Sequence, residues 1–397
     1  NVGVATRIKQ GRYLSKEEMA EASSDISSIP VHGANGIIGW TTKPIYTHGM
    51  PLVTCRGSNC GMVLWAKGPL WVSNNAMAIL PEAGLDLRFL YYCLLDSRPY
   101  EFVSGSAQPP ITMGDLSKKL LRFRLPLPEH RAIAATLGVL DDKIELNRRM
   151  NETLEAMARA LFRDWFVDVG PTRAKMAGIP PYLSPGLWSL FPDRLDDAGK
   201  PDGWEERPLD EIADFLNGLA LQKYPGENEP DSLPVIKIAE LRNGITGNSN
   251  RASRLVPSKY IVQDGDFLFS WSGSLLAKLW TGGEGALNQH LFKVTSGPYP
   301  VWFFSEWVQH HLEDFKIIAA SKATTMGHIQ RGHLQSAKTI CPPTLVIDQL
   351  GKLMAPIIAR IIQNERESRT LAQTRDLLLP RLMSGELRVA GVAKEVS

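Results

Sequence analysis

Four cysteines, eight histidines and 42 carboxylates are the side chains with which this 397-residue chain could hold a metal or run acid–base and nucleophilic chemistry. Their spacing supports little of it. Cys55 and Cys60 stand in LVTCRGSNCG, but Cys93 and Cys341 are alone, and no second Cys or His pair completes a zinc site. His310-His311 and the pair His328 and His333 carry no H-E-x-x-H pattern, and a G-x-S-x-G nucleophile elbow is missing. Gly199-Lys200 and Gly351-Lys352 lack the first glycine and the hydroxyl residue of a phosphate-cradling G-x-x-x-x-G-K-[ST] loop. The glycines of Gly33-Ala34-Asn35-Gly36-Ile37-Ile38-Gly39 are three apart, a spacing for turns between strands rather than for a dinucleotide. No catalytic residue, metal ligand or resident cofactor is expected.

Gln108-Pro109-Pro110-Ile111 has the outline of the [Asp/Asn]-Pro-Pro-aromatic loop of amino-methyltransferases, but Ile111 cannot stack a flipped base. What remains is chemistry for reading a polymer. Lys, Arg and backbone N–H groups position phosphates, and Arg, Asn, Gln, Ser and Thr read base edges. Candidates in the first half are Arg12, Lys16, Asn35, Lys43, Arg56, Asn59, Asn74 and Asn75. In the second half they are Lys223, Lys237, Arg242, Asn248, Asn250, Arg251, Asn288, Gln289, Lys322 and His328. All are placed in loops, and such residues also populate any solvated face.

The elements that must position them occur twice. Thr112-Met113-Gly114 recurs as Thr325-Met326-Gly327, an offset of 213 residues. Gly57-Ser58 after PLVTC recurs as Gly273-Ser274 after DFLFSWS, and Asn74-Asn75-Ala76-Met77 has a looser echo in Leu287-Asn288-Gln289-His290. Each half then runs into a heptad-spaced segment. The first seam is Ile133, Leu137, Leu140, Ile144, Asn147, Asn151, Leu154, Ala158, Leu161 and Trp165. The second is Leu350, Met354, Ile357, Ile361, Asn364, Ser368, Leu371, Arg375, Leu378 and Leu382. A helix of this length would span roughly 57 Å, and two matched ones predict an antiparallel intrachain coiled coil with a polar centre. Against that, Pro356 and Pro380 should kink or end the second helix.

The globular parts mix β-like runs (PLVTC, MVLWA, LPVIKI, DFLFSW) with short helices such as LDLRFLYYCLL, so the fold class is α/β or α+β. The expected division is a domain over 1–120, a long helix over 121–170, and a Pro/Gly/Asp-rich connector over 171–203. A second domain over 204–344 and a second helix with tail over 345–397 follow. The two domains should be superposable, with an approximate twofold relation. A net charge of only +2 gives no global pointer to nucleic acid. Residues 1–120 hold 11 basic and 9 acidic side chains and residues 205–345 hold 13 and 15, so a DNA face needs segregated charge or a basic partner. No apolar run spans a membrane and no signal peptide is evident, so a cytoplasmic location with reduced thiols is expected.

The chain resembles the specificity subunit of type I restriction–modification systems. The resemblance is carried by VHGANGIIGW, LVTCRGSNCG and NNAMAIL, and most specifically by ITMGDLSKKLLRFRLPLPEHRAIAATLGVLDDKIELNRRMNETLEAMARALFRDWFVD. LFPDRL, GKPDGW and the terminal LLLPRLMSGELRV add to it. The resemblance implies two target recognition domains, each reading one half of a split, asymmetric site in double-stranded DNA, and paired helices as spacer. It also implies partners: modification subunits, two in number, which bind S-adenosylmethionine and methylate adenine, and restriction subunits that translocate and cleave DNA with ATP and Mg. Two features depart from the family pattern. The opening segment Gly203-Trp204-Glu205-Glu206-Arg207-Pro208-Leu209-Asp210-Glu211-Ile212 has its first-half counterpart before Asn1, and Pro342-Pro343-Thr344 replaces the LPLPEHR start. The alternative from another class is a non-enzymatic coiled-coil scaffold whose globular domains bind protein.

Overall fold

Short runs of β-branched and aromatic residues bounded by Gly, Pro or Asn become strands in both halves, and the heptad-spaced segments become helices. The computed structural model describes residues 6–57, 59–81, 85–99, 110–118, 127–226, 229–321 and 327–389. It falls into two units, Asn1–Ile144 with Thr370–Ser397, and Glu145–Arg369.

The first unit begins with strands β1 (Thr6–Gln10), β2 (Ile29–Gly33), β3 (Gly36–Thr41), β4 (Met50–Thr54), β5 (Val63–Ala66), β6 (Trp71–Val72) and β7 (Ala76–Pro81). Helices α1 (Leu87–Asp96), α2 (Met113–Ser117) and the long α3 (Leu127–Phe162) follow. One sheet has the order β1-β7-β4-β5, antiparallel throughout, and the other the order β3-β2-β6, with β2 and β6 parallel. Gly36, at φ +87°, closes the tight β2–β3 hairpin, the turn that the glycine spacing implied. Thr112 caps α2 by accepting from the Asp115 backbone N–H at 3.1 Å.

In the second unit, α4 (Gly170–Met176) and α5 (Pro185–Trp188) lie in the connector, followed by β8 (Glu205–Pro208) and α6 (Leu209–Ile212). Then come β9 (Asp214–Asn217), β10 (Leu233–Ile236), α7 (Ile238–Asn243), β11 (Arg251–Ala252), β12 (Ile261–Val262), β13 (Phe267–Ser270), β14 (Ala277–Leu279), β15 (Gly285–Leu287) and β16 (Leu291–Thr295). The chain closes with α8 (Val301–Ser321), α9 (Arg331–Ser336), β17 (Lys338–Cys341) and α10 (Thr344–Ser384). The sheets run β9-β16-β13-β14 and β11-β10-β15-β12, with β10 and β15 parallel, and β8 pairs with β17. The four-stranded order β1-β7-β4-β5 recurs as β9-β16-β13-β14, and β3-β2-β6 recurs as β11-β10-β15 with β12 added at the edge, so among the described residues the internal repeat is a repeat of topology. The mixed helix-and-sheet class agrees with the expectation from the sequence.

Three details differ from the sequence reading. A 21-residue helix, α8, stands where only short helices were expected; its Trp302, Phe303, Trp307 and Phe315 are buried, and β-branched and aromatic content hid the helical period. Helix α10 runs unbroken through Pro356 and Pro380, so packing of its apolar face outweighs the lost backbone hydrogen bonds. The third is the echo of Asn74-Asn75, which is shifted by two residues: Ser73 N–H donates to the His32 carbonyl (2.9 Å) as Asn288 N–H does to that of Ile236 (3.1 Å). Ser73 therefore matches Asn288, Asn74 matches Gln289 and Asn75 matches His290. Of the repeated Thr-Met-Gly, the second copy's Thr325 and Met326 lie outside the described residues, as do Ser58, Gln108 and Pro109.

The long helices contribute to the core of each unit. In the first, Ile133 and Leu137 share a core with Leu379, Leu382 and Met383, with Leu140 and Leu378 against it. In the second, Ala158 and Trp165 pack with Leu350, Met354 and Ile361, flanked by Leu154, Leu161 and Ile357. Ile144, Ser368 and Leu371 are half-buried. Within the second unit, Asn147 donates to the Asn364 carbonyl (3.3 Å) and Glu367 (2.8 Å), and Asn364 donates to Asn151 Oδ1 (2.8 Å). Asn151 donates to Glu365 at 2.9 Å, so rising numbers on α3 meet falling numbers on α10 and the pair is antiparallel. Aromatic rings fill the rest of the second core: Phe162–Trp307 at 5.1 Å, Phe166–Phe303 at 5.3 Å and Phe166–Trp204 at 5.8 Å.

Candidate nucleic-acid interface

Strands that run out of a sheet at one end deliver their next residues to the same place, and both units use this. In the first unit β1 and β4 end where β7 begins, so Gln10, Arg56 and the segment 73–75 meet there. Gln10 Nε2 donates to the Asn74 carbonyl at 2.7 Å, and Cys55 N–H donates to the Asn75 carbonyl at 3.0 Å. The β2–β3 hairpin adds Asn35, whose Oδ1 accepts from Asn59 Nδ2 at 2.9 Å. Arg56 is exposed, and Asn59, Asn74 and Asn75 are half-buried. His32, beneath segment 73–75, is buried, and burial pushes its imidazole down to about 4, so it brings no charge.

The corresponding end of the second unit gathers Asn217, Trp271, Ser272 and the segment 288–290. Trp271 Nε1 donates to Asn217 Oδ1 (2.9 Å) and to the Gln289 carbonyl (3.2 Å), as Gln10 does to Asn74. Ser272 Oγ lies 3.0 Å from His290 Nδ1, and Gln289 Nε2 lies 3.4 Å from His290 Nε2. His328 joins through the bridge between Ser272 and His328, with its ring 6.3 Å from that of Trp271. Lys237 follows β10 beside Asn288 and donates to Asn250 Oδ1 at 2.6 Å.

A pair of glycines makes this convergence possible. A Cβ on Gly11 would lie 2.0 Å from the Ser73 carbonyl oxygen, and one on Gly218 would lie 2.2 Å from that of Asn288. Gly11 N–H donates to the Ala76 carbonyl and Gly218 N–H to that of Leu291, both at 3.0 Å. Any side chain there would force the first strand of each unit away from segment 73–75 or 288–290.

The candidates from sequence thus separate. Arg56, Asn35, Asn59, Asn74 and Asn75 share one strand end, and Lys237, Asn250, Asn288, Gln289 and His328 share its counterpart. Arg12 follows Gly11 and is exposed, its carbonyl accepting from Trp71 Nε1 at 3.1 Å. Lys16 opens a short 3-10 turn, Lys43 is exposed beyond β3, and Lys223 closes another 3-10 turn. Arg242 lies in α7 rather than a loop, and Asn248 is exposed in the loop before β11. Arg251 lies in β11, donating to Ser232 Oγ at 3.0 Å. Lys322 lies outside the described residues. Gln10, Asn217, Trp271, Ser272 and His290 were missed; the repeat, aligned two residues further on, would have placed His290 opposite Asn75.

Amides, an arginine and imidazoles at a strand end can exchange hydrogen bonds with base edges. The hydroxyl–imidazole contact there, Ser272 with His290, turns the other ring nitrogen to the Gln289 amide rather than to a carboxylate. Among the described residues no three His, Cys, Asp or Glu side chains come close enough to hold a metal, and the four cysteines are buried and form no disulfide. No helix among the described residues is long and apolar enough to cross a membrane.

A family model described as the type I restriction modification DNA specificity domain matches residues 5–156 and 201–371. Over 364 residues the chain is 27% identical to the type I restriction enzyme MjaIX specificity subunit of Methanocaldococcus jannaschii, covering 87% of this chain and 79% of that protein. Over 379 residues it is 26% identical to the HindI specificity subunit of Haemophilus influenzae, covering 80% and 81%. In fold it is similar to the crystal structure of a type I restriction–modification S subunit from M. genitalium, with a TM-score of 0.52 at 19% identity, covering 96% of this chain and 94% of that one.

Proposed function

Because the chain belongs to the type I restriction–modification DNA specificity family, matched in both halves, we propose that its two topologically equivalent strand ends are its reading heads. The protein is a type I specificity subunit that recognises a DNA sequence. Each domain reads one half of a split site in the major groove, with amides and arginines on base edges and lysines on phosphates. The observation that carries this is the duplicated convergence: Gly11 with segment 73–75, and Gly218 with segment 288–290, each surrounded by polar side chains.

The subunit itself is non-catalytic, and the helix pair sets the gap between half-sites and docks the modification subunits. S-adenosylmethionine, ATP and Mg act on those partners and on the restriction subunits, in the cytoplasm. The reading is supported by family membership and by strand ends that offer hydrogen-bonding groups.

Gel-shift titrations of chain plus modification subunits on cognate and random duplexes test it. Lys237→Ala should weaken both duplexes alike and lower the slope of log affinity against log salt by about one unit. Unchanged affinity and slope for both would remove Lys237 from the DNA face. A chain that binds neither duplex, with or without partners, while capturing protein would favour the scaffold alternative.

A further inference from the structure

In the second domain the side chain that reads is held by one that does not need to touch DNA. Gln289 Nε2 stands 3.4 Å from His290 Nε2, and His290 Nδ1 stands 3.0 Å from Ser272 Oγ. An amide nitrogen can only donate, so the facing ring nitrogen accepts, and the imidazole proton sits on Nδ1 and is donated to Ser272. Ser272 is fixed in turn: it bridges to His328, and the adjacent Trp271 carbonyl accepts from Ile329 N–H at 2.9 Å. Behind Gln289, its carbonyl accepts from Trp271 Nε1 at 3.2 Å. Backbone and amide are therefore both oriented before any ligand arrives.

With one N–H committed to His290, the Gln289 amide offers its Oε1 and one remaining N–H. That acceptor–donor pair complements N6–H and N7 of adenine, and the guanine edge in the major groove offers two acceptors and no donor. We infer that Gln289 reads an adenine in the half-site of the second domain, and that His290, held by Ser272, is a positioning residue that fixes the amide for it. The inference rests on the proposed DNA-reading role of this strand end. The first domain has Asn75 where the second has His290 and so lacks this pair, making its half-site the internal control.

The test uses the full chain with its modification subunits, in cells whose methylated adenines are then sequenced. Gln289→Ala should reduce discrimination at one adenine of one half-site by roughly 10- to 100-fold. His290→Ala and Ser272→Ala should relax the same position while the other half-site and the salt dependence of binding stay as they were. His290→Gln, which keeps an acceptor near the Nε2 position, should restore discrimination. A merely structural histidine would instead lower occupancy of the whole site and would not be rescued that way. If Gln289→Ala relaxes the position but His290→Ala, Ser272→Ala and His290→Gln all keep the parent motif, the positioning role is overturned and the DNA-reading role stands. If Gln289→Ala leaves the motif unchanged, both fail. Should His290→Ala not fold, Ser272→Ala relaxing the position supports the inference, and Ser272→Ala keeping the motif overturns it.

Discussion

Asp141→Ala should destabilise the first unit by about 3 kcal/mol, a large fraction of an ordinary domain's stability. Asp141 sits on α3 with its side chain 15% exposed, and three side chains from two other helices converge on it. Tyr92 on α1 donates its hydroxyl at 2.6 Å, Arg375 on α10 donates at 2.8 Å, and Arg88 stands 3.9 Å away. Arg88 also pairs with Asp142 at 3.2 Å and lies over the Trp65 ring at 4.9 Å. Burial works to lower the Arg375 pKa, but the hydrogen bonds it donates to Asp141 and Asp376 outweigh it and the net shift is upward. Removing the carboxylate would leave an enclosed guanidinium and a phenol without their main acceptor, and that uncompensated desolvation is the source of the loss. Urea unfolding followed by a probe in the first unit measures it. Pairing Asp141→Leu with Arg375→Met should recover most of the stability, since no charge is then stranded. A single variant as stable as the parent would show that the cluster is not coupled to folding.

The second large effect depends on pH. Glu306 on α8 faces a cavity of about 320 Å³ whose lining includes Glu155, Arg159, Lys278, Gln309 and Glu365, and its Oε2 is buried without a hydrogen-bond partner. Burial pushes its carboxyl up from 4.5 to about 7; Arg159 opposes the shift and Glu155 adds to it. A carboxyl whose folded pKa is raised binds its proton more tightly in the folded state. Its contribution is therefore most favourable below about pH 4.5, falls as pH rises from there to about 7, and is flat above. The full loss is about 3 kcal/mol for a shift of this size. Glu306→Gln keeps the shape and removes the charge, so it should exceed the parent in stability at pH 8, with the difference shrinking toward pH 5. Urea midpoints of both proteins at intervals across that range provide the measurement. A gap that does not change with pH would mean that Glu306 is not the titrating group.

The sequence made some of this legible and hid the rest for physical reasons. Heptad spacing is a local, periodic signal, and it located both seams down to the buried Asn147, Asn151 and Asn364. The partners of seam residues are not local: Arg375 stood out as a polar position, but Asp141 meets it, and Tyr92 meets Asp141, only in three dimensions. Strand ends pose the same difficulty. Asn74 and Asn75 were visible as amides near a repeat, whereas Asn217, Trp271 and Ser272 gain meaning only because antiparallel strands bring residues 217, 271 and 289 together. Gly11 and Gly218 carried no motif, and their role follows from two carbonyl oxygens that approach from elsewhere in the chain. Helix α8 was hidden because its aromatic-rich composition is equally at home in a strand.

The central claim is that two equivalent strand ends read two halves of one DNA site independently. Its most direct test is sequencing of methylated adenines in cells that carry the modification subunits with the parent chain, Asn75→Ala or Gln289→Ala. The account predicts that Asn75→Ala relaxes bases in one half of the split motif only, that Gln289→Ala relaxes bases in the other half only, and that the gap between the halves stays constant. A single substitution that changed both halves, or two substitutions that changed the same half, would contradict it.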